Sequence, residues 1–378
     1  MTKKIFIISG IIFLIAGVYL AIQFFVFQKS PTSYENTEIV KKDEGKISGV
    51  DSEDKNKRNS EKINKIIEGN IKNPALDVSG SKILYFNQNN FLLTDLDGTT
   101  KSSIGTYPFN SGENIEWSSD NSLAIIRDSG KYFIFDIKKN EAKPFKSDAD
   151  NLIWGKIQNQ LIYKYFDNKT KKRSLNISDL SGENWQELME IPFRYAEMKV
   201  NPKNETLALF SMPNAFEETQ IFIVNLIKKE QREIKLKYKG VNYKWSPDGK
   251  KLLFSYAKEG GKTGMAVLQI ETEKVTELNF PGLVDKCVWA GDSVGVYCAS
   301  PTFDSPNTIL PDDWASGKVF SADTFWQVDT IKGEKKRIVE LEEINASVDA
   351  NFLFLDKDEK SLFFVDKKTG GLFKVGLK

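Results

Sequence analysis

From residue 76 onward, apolar and polar positions recur in one form. An apolar anchor is followed by a short polar turn, and an apolar residue seven places after the anchor opens an alternating run. Trp245-Ser246-Pro247-Asp248-Gly249-Lys250-Lys251-Leu252-Leu253-Phe254 is its fullest statement. Pro247 holds φ where a tight turn needs it, and Gly249 tolerates the left-handed conformation that closes it. The form returns at Trp154 (leading to Leu161), Val200 (Leu207), Trp289 (Val296) and Leu355 (Leu362), more weakly at Leu76 (Ile83), and one residue shorter at Trp117 (Leu123). Successive anchors are 41, 37, 46, 45, 44 and 66 residues apart. Within the fifth unit, further runs at 265–270 and 274–278 predict a third and a fourth strand. Units of about 43 residues with four short strands have the size of a propeller blade. The pattern therefore predicts an all-β, seven-bladed β-propeller of four-stranded antiparallel blades, since a lone blade leaves both faces bare and must stack in a ring. The last unit reaches Lys378 after three strands. Residues 61–72, short and partly apolar, are expected to supply the fourth and so remove two unpaired edges. A short helix ending at Gly69 is the alternative.

Ahead of the propeller at 61–378, the pattern changes. Residues 5–27 form an uncharged run of 23 residues, IFIISGIIFLIAGVYLAIQFFVF. As a helix it would extend roughly 34 Å, enough for a membrane core of about 30 Å. No small-x-small cleavage signature follows it, so an uncleaved transmembrane anchor is expected. Lys3 and Lys4, in residues 1–4, precede the run and only Lys29 follows closely. The positive-inside rule then leaves the amino terminus in the cytoplasm and the propeller outside, a single-pass protein of the cell membrane. Residues 28–60 mix charged and polar side chains with almost nothing to bury and read as a disordered linker.

Composition narrows the chemistry. Of 378 residues, 53 are Lys or Arg and 52 are Asp or Glu, and the net charge of +1 gives no field for nucleic acid. Histidine is absent, which excludes Ser-His-Asp and Cys-His nucleophiles and imidazole metal sites. No calcium loop, phosphate loop or dinucleotide fingerprint occurs, so no cofactor and no metal is expected.

The W-S-P-D-G-K string at Trp245 resembles the repeat of TolB-type, WD40-like propellers, also found in the propeller half of dipeptidyl-peptidase-type proteins. The turn at Asp95-Leu96-Asp97-Gly98 is similar to their link between third and fourth strands. The resemblance covers most of 76–378 and implies fold rather than activity, because the matching residues make turns and blade packing. No α/β domain precedes the ring as in TolB, and no hydrolase domain or G-x-S-x-G turn accompanies it.

Trp117, Trp154, Trp245 and Trp289 occupy the repeat anchor and are expected to pack within blades. Cys287 and Cys298 flank the Trp289 turn symmetrically, two residues outside Trp289 and Val296. That places them opposite each other on adjacent antiparallel strands, within reach of a disulfide if the domain lies outside the cytoplasm. The connections between second and third strands at 166–174, 211–219 and 257–264 are longer than the first turns and share one face of the disc. A further insertion at 299–322 adds Phe303, Asp312, Asp313 and Trp314 on that face, and is expected either to contact a partner through these residues or to cover the ring mouth. The function expected is a non-catalytic scaffold for a protein or peptide, and not an enzyme. The alternative is a carboxylate-dependent enzyme or binder acting on an envelope glycan at the ring mouth.

Overall fold

The computed structural model describes residues 62–108, 113–145, 149–157, 159–305, 307–344 and 347–377. The expected anchor at 5–27 and linker at 28–60 lie outside the described residues. Among the described residues no helix is long and apolar enough to cross a membrane.

Seven four-stranded antiparallel sheets follow one another along the chain. Blades 1 to 6 comprise residues 72–106, 114–144, 149–190, 196–234, 242–277 and 287–337. Blade 7 takes three strands from 350–376, and its fourth is Ile63–Ile67, paired antiparallel with Leu372–Gly376. The first strands of neighbouring blades touch, so they are the innermost layer around the axis.

Each anchor is the last residue of an innermost strand and pairs with the residue seven places on, as in Leu76–Ile83, Trp154–Leu161, Trp245–Leu252 and Leu355–Leu362. Blade 2 keeps the same spacing rather than the shorter one its sequence predicts. Trp117 faces Ala124, because the Ser118 amide donates to the Leu123 carbonyl (2.9 Å) inside the turn.

The anchors also join blades. The indole N–H of Trp117 donates to the Asn73 carbonyl (2.8 Å), Trp154 to Glu116 (2.9 Å), Trp245 to Lys199 (2.9 Å) and Trp289 to Lys244 (3.4 Å). In each case the acceptor lies on the innermost strand of the preceding blade, so one side chain fills a gap between two sheets and fixes their offset.

The core is divided accordingly. Seven apolar clusters each lie between two successive blades, the last joining Ile83 and Tyr85 of blade 1 to Phe363 and Leu372 of blade 7. Both faces of a blade are therefore covered, and second strands such as Leu207-Ala208-Leu209-Phe210 are buried at every position. This is why they read as continuous apolar runs. The turns interlock as well: Gly249 adopts φ +68°, and a Cβ there would come within 2.2 Å of Asn201 Oδ1 from blade 4, whose amide donates to the Gly249 carbonyl (2.8 Å). Only glycine allows that approach.

Candidate functional site

The second-to-third connections exceed the first turns only in blades 4 and 6, at 212–220 and 303–321, so the elaboration is narrower than the sequence predicts. Residues 257–264 are not a loop: strands Lys251–Lys258 and Lys262–Gln269 form one long hairpin whose tip is Glu259–Gly261. Likewise the strands of blade 6 run on to Thr302 and resume at Ala322, leaving 303–321 as the irregular part, with one helical turn at Asp312–Ala315.

That insertion is tied to three other blades. The Ala215 amide of blade 4 donates to Asp312 Oδ2 (2.9 Å). Pro311 packs over Gly240, at the entrance to blade 5, where a Cβ would lie 2.9 Å from its Cδ. From blade 7, the Lys367 ammonium donates to the Trp314 carbonyl.

Trp314 is not the exposed anchor that a partner-binding insertion requires. It is 3% exposed, packed with Leu283 and Leu310, and its ring lies 4.1 Å from the Lys367 ammonium and 4.9 Å from that of Lys286. Asp313 is also buried; it accepts from the Ile309 amide (2.8 Å) and the Lys318 ammonium (3.0 Å), which hold its carboxyl below the usual range. Phe303 is half-buried against the same cluster. A loop with this much apolar surface folds onto the neighbouring blades because leaving it in water costs more than ordering it.

Beneath Trp314 lies a buried charge cluster that sequence reasoning missed. The Lys286 ammonium contacts Asp323 Oδ2 (2.7 Å), Asp349 Oδ1 (2.5 Å) and the Ala350 carbonyl (3.0 Å). Burial pushes both carboxyls up. In Asp349 the Lys286 charge and the Trp314 N–H outweigh it, so that group is held low while Asp323 stays raised.

The channel wall continues this chemistry. The Lys199 ammonium donates to the Tyr243 carbonyl (2.6 Å), and that of Lys244 to the Cys287 carbonyl (2.6 Å). With Lys286 reaching Ala350, lysines of blades 4 and 5 and of the entry to blade 6 each stitch an innermost strand to the next. Burial lowers Lys199 and brings Lys244 down to about 8. Next to Lys199, across blades 2 to 4, Glu116 and Glu197 share a cavity of about 180 Å³ with Asn114, Asn151, Arg127 and Tyr132. Enclosure by protein raises both carboxyls, Glu116 to about 7.

A signal for these residues was present. Glu116, Lys199 and Lys244 stand one place before their anchors, and Glu197 and Asn242 three places before, alternating with buried Ile115, Met198 and Tyr243. Period two on an innermost strand puts such residues on the channel.

The open surface of the same face is a groove of about 1010 Å³ between blades 4, 5 and 6. The long hairpin forms one wall, and Ala215 and Phe216, Lys237 to Lys239, and residues 307–310 complete it. Phe216 is 67% exposed and Ile309 37%. Tyr238 and Tyr256 pack with centroids 4.5 Å apart, and both hydroxyls donate to Glu277, 2.8 Å from Tyr238. Burial and the Glu277 charge push Tyr238 up to about 12. A second hollow of about 510 Å³ on the far side of the hairpin is lined by Phe280, Phe303 and Leu310 among others.

Cys287 and Cys298 are directly paired on their strands, with Cα atoms 4.1 Å apart and sulfurs at bonding distance, 2.12 Å.

The sequence matches no protein-family model and no curated protein. Among solved structures, an oligogalacturonate lyase in complex with manganese is similar with a TM-score of 0.61 at 13% identity, over 84% of this chain and 91% of that one. The Cps50 (Swd1) β-propeller domain of Myceliophteria thermophila is similar with a TM-score of 0.54 at 10% identity, over 84% of this chain and 100% of that one. TolB from Acinetobacter baumannii aligns with a TM-score of 0.45 at 13% identity, over 71% of this chain and 64% of that one. Likeness at these identities is of fold: the chain is a seven-bladed β-propeller. Manganese in the lyase raises the question of a metal here. Histidine is absent, and among the described residues no group of three or more Cys, Asp or Glu side chains is disposed to hold one.

Proposed function

We propose that the protein is a non-catalytic scaffold that presents the groove between blades 4, 5 and 6 to a protein or peptide partner. The observation that carries this is the pairing of exposed Phe216 and Ile309 with a rigid tyrosine floor in a groove of about 1010 Å³. Apolar exposure framed by polar residues marks interaction surfaces. The apolar run at 5–27 would tether the scaffold to the cell membrane with the propeller outside, and protease added to intact cells would then release it.

A photo-crosslinking residue placed at Phe216 or at Ile309 in the full chain tests the scaffold role in living cells. Adducts to another protein from these positions, and not from Lys203 in a first turn of the opposite face, are expected. Equal adducts from both faces, or none from the groove, would overturn it.

One observation favours the enzymatic reading: Glu116, near neutral pKa, shares a cavity with Glu197, as an acid and its partner carboxylate would. That cavity of about 180 Å³ is smaller than the roughly 300–1,000 Å³ typical of ligand sites. Turnover of oligosaccharides that Glu116→Gln abolishes would establish it in place of the scaffold.

A further inference from the structure

We infer that the groove between blades 4, 5 and 6 binds an extended acidic peptide segment carrying an aromatic or aliphatic side chain. This rests on the scaffold role proposed above and specifies the partner's chemistry.

Charge is the first argument. Lys237, Lys239, Lys258 and Lys262 all line the groove and are exposed. None of them forms an ion pair with a described residue. Against them the lining holds one acid, Glu259, at the hairpin tip. Glu277, exposed on the outer strand of blade 5, is engaged by both tyrosine hydroxyls. On a chain whose net charge is only +1, this is a local excess of cations, with the Lys258 ammonium 5.3 Å from the Tyr256 ring.

Lys258 and Lys262 are paired directly across the hairpin. Like charges opposite each other on adjacent strands destabilise a free hairpin, so an anion bridging them gains what the unbound state loses. From the facing wall, Lys237 and Lys239 flank Tyr238 and lie two residues apart, the spacing of side chains on one edge of an extended segment. Carboxylates along an extended peptide could meet both walls.

Apolar surface separates a peptide from other anions. Phe216 and Ile309 stand at the groove exposed, and the Tyr238–Tyr256 pair is fixed in place by Glu277 before any ligand arrives. A preordered aromatic floor lowers the ordering cost of binding. A charged polysaccharide would use the lysines and leave Phe216 and Ile309 in water, whereas an acidic peptide with an apolar side chain uses both sets.

The test uses the full chain in detergent and a fluorescein-labelled random Glu–Tyr copolymer, with a Lys–Tyr copolymer and polygalacturonate as comparisons. Saturable binding of the Glu–Tyr copolymer, weakening with added salt, is expected, with none of the Lys–Tyr copolymer. The double variant Lys237→Glu/Lys239→Glu should weaken it by about tenfold or more, and Phe216→Ala by about threefold or more. Because Lys239 is bridge-paired with Glu218, the exposed single variant Lys237→Glu, whose melting temperature should not change, must weaken binding as well. Absence of Glu–Tyr binding, or binding indifferent to the lysine reversals, would overturn the inference. Tighter binding of polygalacturonate that is insensitive to Phe216→Ala would replace it with an anionic glycan. If Phe216 crosslinks to a protein in cells while the copolymer fails to bind, the acidic specificity falls and the scaffold stands; copolymer binding without any crosslink from the groove has the reverse meaning.

Discussion

The indole of Trp314, in the insertion of blade 6, donates to the carboxylate of Asp349 at the start of blade 7, 2.9 Å from Oδ1. Asp349 also takes the Lys286 ammonium, so the tryptophan closes a buried ion cluster from above. The contact converts a surface loop into part of the ring: removing the ring of Trp314 leaves a cavity and gives water access to charges that are stable only when paired.

Trp314→Ala should therefore lower unfolding free energy by roughly 3–5 kcal/mol in urea titration, comparable with Trp245→Ala at a blade anchor. Trp314→Phe retains most of the volume and loses only the N–H, at about 1–3 kcal/mol. A Trp314→Ala protein of unchanged stability would contradict the insertion's structural role.

Ring closure depends on strand Ile63–Ile67. A chain beginning at Asn73 exposes the edge of Leu372–Gly376 and uncovers Val375 and Phe373. It should melt at a clearly lower temperature than one beginning at Glu61, and aggregate on concentration, because unpaired edges recruit one another. Equal melting curves would show that blade 7 is self-sufficient.

Glu116 makes stability depend on pH. Its pKa rises from 4.5 in the unfolded chain to about 7, so between these values the folded state holds more protons than the unfolded one. Stability contributed by this group is then full below pH 4.5, declines as pH rises to about 7, and stays low above. Glu116→Gln removes that decline and should be more stable than the parent at pH 8 by about 1–3 kcal/mol, with the gain vanishing near pH 4. Parallel pH profiles for parent and variant would contradict the enclosed carboxyl.

The bond between Cys287 and Cys298 closes a sequence separation of 11 residues. Mass analysis of protein taken from intact cells without reductant should recover the two peptides joined. Replacing both cysteines by alanine should cost roughly 2–3 kcal/mol, the loop entropy for a link of this length, plus the lost packing. Free thiols in that material would argue for a reducing compartment.

The linear pattern determined the number of blades and the strand that ends at each anchor. These are local properties: a two-residue period and a fixed turn set each anchor against a residue seven places away, whatever surrounds them. The same locality made Cys287 and Cys298 legible as opposed residues. The partners of Trp314 were not legible, because Asp349 and Lys367, which hold it, lie 35 and 53 residues further along the chain. Lys286, Asp323 and Asp349 are unremarkable charges in sequence and form one buried cluster only when the blade 6 and blade 7 entries meet at the axis. Likewise the groove takes Phe216, Tyr238, Lys262 and Ile309 from segments spread over three blades. Burial, pairing and pKa depend on what the ring brings from elsewhere in the chain, so only the tertiary structure decided them.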